Sequence, residues 1–121
     1  MTILAHGEVI DIAFQSKSLR DACESEDMLK VKFGEAVGSA ILRRLADLRA
    51  AATIRDLVVG SPREIPSERV PTLCIDLAPG AVLVLRANHL KPPRTASGAI
   101  SWAEVTRLKV MSIGTVDGQS S

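Results

Sequence analysis

The candidates for chemistry in this 121-residue sequence are a set of cations in its second half, with one imidazole near them. Arg and Lys hold phosphate groups through charge-assisted hydrogen bonds, and His exchanges protons near neutral pH. One hypothesis is that His89 acts as acid or base beside Arg86, and the alternative, since His89 has no partner at a fixed spacing, is that both are solvated strand-end and loop residues. The candidate cations are Arg63, Arg69, Arg86, Lys91 and Arg94.

A predicted β-hairpin at residues 72–86 must position these side chains. Apolar and polar residues alternate over residues 73–77, which is the pattern of a half-buried strand. Pro79 and Gly80 fit the second and third positions of a turn. Residues 81–85 are all apolar, as in a strand covered on both faces. We therefore expect the second arm to lie at the centre of a sheet.

Helical segments are predicted before the hairpin. Ser16 or Ser18 can cap a short helix, and Ser25 can cap a second. The longest candidate is residues 35–52, where apolar residues recur at steps of three and four and predict a stripe that lies on the sheet. On the opposite, solvated face of this helix we expect an ion pair between two residues four positions apart, Arg43 and Asp47.

The order of elements predicts an α+β domain over the whole chain. Strand patterns at residues 9–14, 63–65 and 105–113 join the hairpin. We expect an N-terminal strand and two or three helices packed on one face of a mostly antiparallel four- to five-stranded sheet. Residues 1–7 are predicted to be a loose leader and residues 114–121 a flexible tail.

Composition excludes several classes of protein. The hydrophobic fraction of 46% and charged fraction of 24% are typical of a soluble globular domain, and no apolar run is long enough to span a membrane. We expect a cytoplasmic protein. The formal charge of +1 does not predict nucleic-acid binding by itself, but it allows a local basic patch. The absence of Tyr makes a base-stacking platform improbable.

No sequence pattern for a metal or cofactor is present. Cys23 and Cys74 lie in no metal-binding spacing, so we expect two buried free thiols. The sequence has no Gly-rich phosphate loop and no nucleophile–base motif, so neither a cofactor nor a small-molecule enzyme is predicted.

The chain resembles the RelE/HigB-like killer toxins of bacterial toxin–antitoxin modules, which include plasmid-maintenance proteins. The likeness covers about residues 8–117 and depends on the order and spacing of several short stretches. They are Ile12-Ala13-Phe14 with Leu19 and Cys23-Glu24, the helix end RRLADLRAA, Arg63-Glu64-Ile65, the strand Cys74-Ile75-Asp76-Leu77 and the closing run ISWAEVTRLKVMSI.

This resemblance implies a RelE-like fold and a metal-independent endoribonuclease that cleaves mRNA on the ribosome. It also implies a helix-turn-helix antitoxin as partner. Cleavage needs a cation for the phosphate and groups that move protons at the 2′-oxygen and 5′-oxygen. On this hypothesis the catalytic residues are Arg63, Arg86 and His89. Those that hold RNA are Arg69, Lys91, Arg94, Arg107 and Lys109, the last two being alternatively a solvated strand face.

The chain departs from the family pattern at the positions that carry this chemistry. Leu83 stands where the family often has Arg, and Arg63 stands where it has His. The usual closing Tyr-His is missing, and Asp117 is a candidate replacement base. Two hypotheses therefore stay open: an mRNA interferase that is active or weakened, and a non-catalytic relative that binds an antitoxin as an interaction or co-repressor subunit.

Overall fold

The computed structural model describes residues 10–51, 54, 62–65, 69–78 and 80–115. One strand, three consecutive helices and then four strands follow along these residues, with a short 3₁₀ helix at Trp102–Glu104 before the last strand. None of the described helices is long and apolar enough to cross a membrane. The elements are β1 (Asp11–Phe14), α1 (Lys17–Cys23), α2 (Glu26–Phe33), α3 (Glu35–Ala50), β2 (Arg63–Glu64), β3 (Leu73–Ala78), β4 (Ala81–Ala87) and β5 (Arg107–Thr115).

Serine side chains cap the N-termini of the first two helices. The Ser16 hydroxyl accepts a hydrogen bond from the Leu19 amide at 3.1 Å, so Ser16 and not Ser18 caps α1. Ser25 caps α2 in the same way through the Met28 amide at 3.2 Å. Gly34, with φ of +90°, then turns the chain between α2 and α3, a conformation that favours glycine.

The apolar stripe of α3 lies on the sheet, as its spacing predicts. Ile41, Leu45 and Leu48 are at most 1% exposed and belong to the same core cluster as the inward residues of the strands. The expected ion pair between Arg43 and Asp47 is wrong. The carboxylate of Asp47 instead binds the Arg44 guanidinium at 2.8 Å. The Arg44 side chain extends toward the sheet, where its Nε donates to the Asp76 carbonyl, and this direction brings its Nη1 next to Asp47.

The sheet has the order β1-β5-β4-β3-β2, so the predicted hairpin forms its centre. β4 lies between β3 and β5 and is antiparallel to both, whereas β1 is parallel to β5. The predicted α+β architecture is therefore confirmed, with a mixed sheet. The brief edge strand expected after residue 62 is β2. Gly80 has φ of +87°, as the third position of the predicted turn requires, while Pro79 lies outside the described residues.

The expectation that β4 is covered on both faces is wrong. Ala81, Leu83 and Leu85 are buried, but the residues between them, Val82 and Val84, are only half-buried. The helices pack on one side of the sheet, so only every second residue of β4 enters the core. The continuous apolar run reflects composition and not two-sided burial.

The start of the predicted flexible tail is also wrong. Gly114 and Thr115 belong to β5, where they pair with Val82 and Ala81 of β4. β5 extends this far because the first residues of β4 lie in the interior of the sheet, where their backbone groups form hydrogen bonds with a strand on each side. The expectations for residues 1–7 and 116–121 fall outside the described part of the chain.

Candidate nucleic-acid interface

Alternate residues of each strand point away from the helices, and we call this side of the sheet the distal face. Residues that lie directly opposite each other in a ladder share a face, so the register assigns its members. They include, from one edge of the sheet to the other, Asp11, Arg107, Lys109, Ser112, Val84, Val82, Arg86, Cys74, Asp76 and Arg63. Four of the predicted site residues, Arg63, Arg86, Arg107 and Lys109, therefore share one surface.

Two of these cations are direct neighbours across the ladder. Arg86 of β4 lies opposite Lys109 of β5. Arg107 follows two residues away on the same face and lies opposite Asp11 of β1. Like charges directly opposite each other in adjacent strands reduce stability. A guanidinium and an ammonium group on one surface can both donate to the same phosphate, so this pair has the donor set of a phosphate site.

Arg86 is held in place by a buried hydroxyl. Its Nε donates to Oγ1 of Thr72 at 3.1 Å, and that hydroxyl donates in turn to the Val70 carbonyl at 2.7 Å. Thr72 is 2% exposed, so its hydroxyl needs these partners. The arrangement fixes the stem of Arg86 along the distal face.

Arg63 lies at the β2 edge and is paired with a carboxylate. Its Nη2 donates to Oδ1 of Asp76 at 3.0 Å, and both side chains are about half exposed. Ion pairs at such exposure contribute about 0–1 kcal/mol. A phosphate group can therefore compete with Asp76 for Arg63 at low cost.

His89 is engaged with the backbone of the segment that enters β5. Its Nε2 accepts hydrogen bonds from the amides of Thr106 at 3.0 Å and Arg107 at 3.2 Å. The Asn88 amide adds a bond to the Arg107 carbonyl at 2.8 Å. A nitrogen that accepts from two amides carries no proton, so the ring proton lies on Nδ1. Nδ1 then carries the ring proton and has no lone pair to accept another, so this arrangement leaves His89 no ring nitrogen for the predicted role as a base.

The remaining predicted RNA-binding residues lie in loops. Arg69 and Lys91 are exposed. Arg94 donates to the Gly98 carbonyl at 2.8 Å, a bond that closes its own loop beside the bridge to Ile100. Within the part of the chain that the structure describes, no hydrogen bond or ion pair connects these three residues with the distal face. Asp117 lies outside that part.

Sequence reasoning missed the carboxylates and the buried arginine near the site. Asp11 and Asp76 share the distal face with the cations. The alternation of residues along β1 and β3 already predicted that these carboxylates point away from the core. Arg44 is 9% exposed and its Nε donates to the Asp76 backbone carbonyl at 3.1 Å. Its position between Ile41 and Leu48 on the α3 stripe could have indicated this burial.

The indole of Trp102 is a loop anchor. Its Nε1 donates to the Glu64 carboxylate at 2.7 Å, and its ring packs against the core. This contact ties the segment before β5 to the β2 edge.

Both thiols are buried and unpaired, as predicted. Burial raises the pKa of Cys23 to about 11, and it also raises the pKa of Cys74, with the nearby Arg63 acting in the opposite direction. Both thiols stay protonated near neutral pH and are therefore poor nucleophiles. Among the described residues, no three His, Cys, Asp or Glu side chains lie close enough together to hold a metal ion.

Comparison of the chain with protein-family models, with curated proteins and with solved structures gave no significant match. The chemistry of the site is therefore argued from its own groups. The distal face offers guanidinium and ammonium groups for phosphates, together with carboxylates that limit their charge. The residues that the register assigns to the distal face include neither an imidazole nor a phenol.

Proposed function

We propose that this chain is the toxin component of a bacterial type II toxin–antitoxin module, similar to the RelE/HigB-like mRNA interferases, and that it binds the RNA backbone on the distal face. The observation that carries the proposal is the side-by-side placement of Arg86 and Lys109. Arg107 and Arg63 extend the same surface toward both edges of the sheet. The working partners are a helix-turn-helix antitoxin, the ribosome and mRNA, and the location is the cytoplasm.

On this proposal the cations hold RNA phosphates, and cleavage is weak. Three guanidinium groups and an ammonium group can offset phosphate charge in the transition state. Proton transfer needs a group such as His, Tyr or a carboxylate, and the chain has no Tyr. Asp11 and Asp76 are the carboxylates available on the distal face.

The test is expression of the chain alone in a bacterial host, followed by measurement of growth and of mRNA integrity. Arg86→Ala and Lys109→Ala are expected to relieve growth arrest and to stop mRNA cleavage. Arg43→Ala is the matched control, because Arg43 is an exposed arginine on the helical side of the molecule. Equal arrest by all variants would contradict a site on the distal face, and no arrest by the soluble parent chain would contradict an active toxin.

A binding measurement separates RNA recognition from cleavage. We expect the chain to bind a short 2′-O-methylated single-stranded RNA, which cannot be cleaved. The salt dependence of this affinity should become shallower by about 0.7 in log–log slope for each phosphate contact removed. Lys109→Ala should show this change and Arg43→Ala should not. An unchanged slope in Lys109→Ala would place the RNA elsewhere.

A second candidate is a non-catalytic relative that binds an antitoxin as an interaction or co-repressor subunit. The specific observation in its favour is that Nε2 of His89 is occupied by the Thr106 and Arg107 amides. This candidate predicts RNA binding or antitoxin binding with intact mRNA and normal growth. An adjacent gene for a helix-turn-helix protein would support both candidates equally.

A further inference from the structure

β1 lies at the edge of the sheet and pairs on one side only. Its partner is β5, in a parallel ladder. The amides of Asp11 and Gln15 point toward β5, where they donate to the carbonyls of Thr106 and Val110 at 2.8 and 2.9 Å. Because backbone groups alternate in direction along a strand, those of Ile12 and Phe14 point outward.

The outward backbone groups of β1 have no strand partner among the residues that the structure describes. No hydrogen bond of the described chain uses the amide or carbonyl of Ile12 or Phe14. Such a row of unpaired donors and acceptors is a template for an added strand. Natural proteins often block such an edge by covering it with a helix or a loop, but here a cleft lies beside it.

The cleft beside β1 has a volume of about 610 Å³, which is in the range of ligand and peptide sites. Ile12 and Phe14 line it, and both are half-buried apolar residues packed against the core. The edge strand therefore offers an apolar floor as well as open backbone groups. The α1 helix and the end of α3 form the other walls.

The rim of the cleft is positively charged. Among the described residues, Lys17, Arg20 and Arg49 line it together with the carboxylate of Glu24, and Lys17 is bound to the Asp21 carboxylate at 2.9 Å. The Arg20–Glu24 contact is long, 3.9 Å, and exposed. Arg49 forms no ion pair with any residue in the described ranges. An acidic ligand therefore finds at least one cation that no neighbouring carboxylate neutralises.

We propose that this cleft binds an acidic, extended peptide segment of a partner protein, which adds to β1 as a sixth strand. The open amides and carbonyls of Ile12 and Phe14 give the peptide its backbone bonds, and Lys17, Arg20 and Arg49 select carboxylate side chains. The inference goes beyond the RNA-binding proposal and does not depend on it. It concerns the edge of the sheet opposite Arg63 and uses none of the distal-face cations.

The test is a titration of the isotope-labelled full chain with the capped peptide Glu-Val-Glu-Ile-Glu-Val, followed by amide NMR. We expect shifts at residues 11–15 and slower hydrogen exchange at the Ile12 and Phe14 amides. A peptide N-methylated at alternate residues, which cannot pair as a strand on that side, should bind at least about tenfold more weakly. The basic counterpart Lys-Val-Lys-Ile-Lys-Val should not bind.

The charge requirement is tested with Arg49→Glu, which is exposed and leaves the core untouched. It should weaken acidic-peptide binding about tenfold or more, whereas Arg43→Glu on the same helix should not. Equal binding of the N-methylated and normal peptides would overturn strand addition. Shifts that map to Arg86 and Lys109 instead of β1, or no shifts at millimolar peptide, would overturn the site.

Discussion

Asp76 sets how strongly Arg63 is available to a phosphate. Its carboxylate holds the Arg63 guanidinium at 3.0 Å on a half-exposed surface. On the proposed function it would compete with RNA for Arg63, while its backbone carbonyl is bound from the other side of the sheet by Arg44. One residue thus connects the candidate RNA surface to the helical layer.

Replacing Asp76 by Asn should raise the affinity for RNA. The change removes a negative charge from the distal face and the ion pair between Asp76 and Arg63, and an exposed pair of this kind is worth at most about 1 kcal/mol, or about fivefold in affinity. Fluorescence anisotropy with 2′-O-methylated RNA measures it. Asp27→Asn removes an exposed carboxylate from α2 and should leave the affinity almost unchanged. Weaker binding by Asp76→Asn would show that Asp76 positions Arg63 for RNA.

Arg44 and Arg43 are adjacent in sequence but differ in what they contact. Arg44 bonds the Asp76 carbonyl and the Asp47 carboxylate, and its side chain is only 11% exposed. Arg44→Ala should lower the free energy of unfolding by about 2–3 kcal/mol, because it leaves a carbonyl and a carboxylate without their donor. Arg43→Ala should change it by less than about 0.5 kcal/mol. Urea denaturation measures both, and equal effects would contradict a special role of Arg44.

Ionisation of the Cys23 thiol should lower the free energy of unfolding at alkaline pH. Its pKa rises from 9.0 to about 11 in the folded chain, so the native state keeps a proton that the unfolded state releases. The resulting stabilisation is complete below about pH 9 and disappears as the pH rises through about 11. It amounts to something on the order of 2 kcal/mol. Denaturation of Cys23→Ala over this pH range should show a smaller decline than the parent chain, and an identical decline would assign the effect to other groups.

At the scale of elements, α2 and α3 approach each other closely at Gly38. A Cβ at Gly38 would lie 3.0 Å from the Leu29 carbonyl carbon and the Lys30 amide nitrogen. Both are backbone atoms, which a small rotamer change cannot move away. Gly38 therefore allows the close packing of the two helices at the first turn of α3, at a cost in helix propensity.

Gly38→Ala should destabilise the chain, although the same change at an exposed helical position stabilises by about 1 kcal/mol. The added methyl forces α2 and α3 apart, and such overpacking costs about 1–3 kcal/mol. The control is Ala36→Gly on the exposed side of the same helix, which should cost about 1 kcal/mol from propensity alone. A thermal melt distinguishes the two, and a higher melting temperature in Gly38→Ala would contradict the close approach.

At the scale of the whole molecule, local patterns predicted most of the elements. The caps at Ser16 and Ser25, the α3 stripe and the central hairpin depend on neighbours within a few residues, so the sequence records them. The prediction that β4 is buried on both faces was wrong, because burial depends on which side of the sheet the helices pack. The extension of β5 to Thr115 was missed because it depends on the partner strand.

The candidate site was predictable in its residue types but not in its grouping. Alternation placed Arg107 and Lys109 on one face of β5, but only the register brings Arg86 beside Lys109. The engagement of His89 was not predictable, because its partners are amides 17 and 18 residues away. Contacts of this length carry no periodic signal.

The parallel pairing of β1 with β5 also constrains how the chain acquires its fold. β1 begins at Asp11, and its ladder partner starts only at Arg107. On the ribosome, β1 must wait for nearly a hundred residues of synthesis before it can pair. Such distant pairing is slow to form and leaves an open strand in the nascent chain. Until β5 emerges, β4 likewise lacks one of its neighbours, so the sheet is completed only after translation has passed β5.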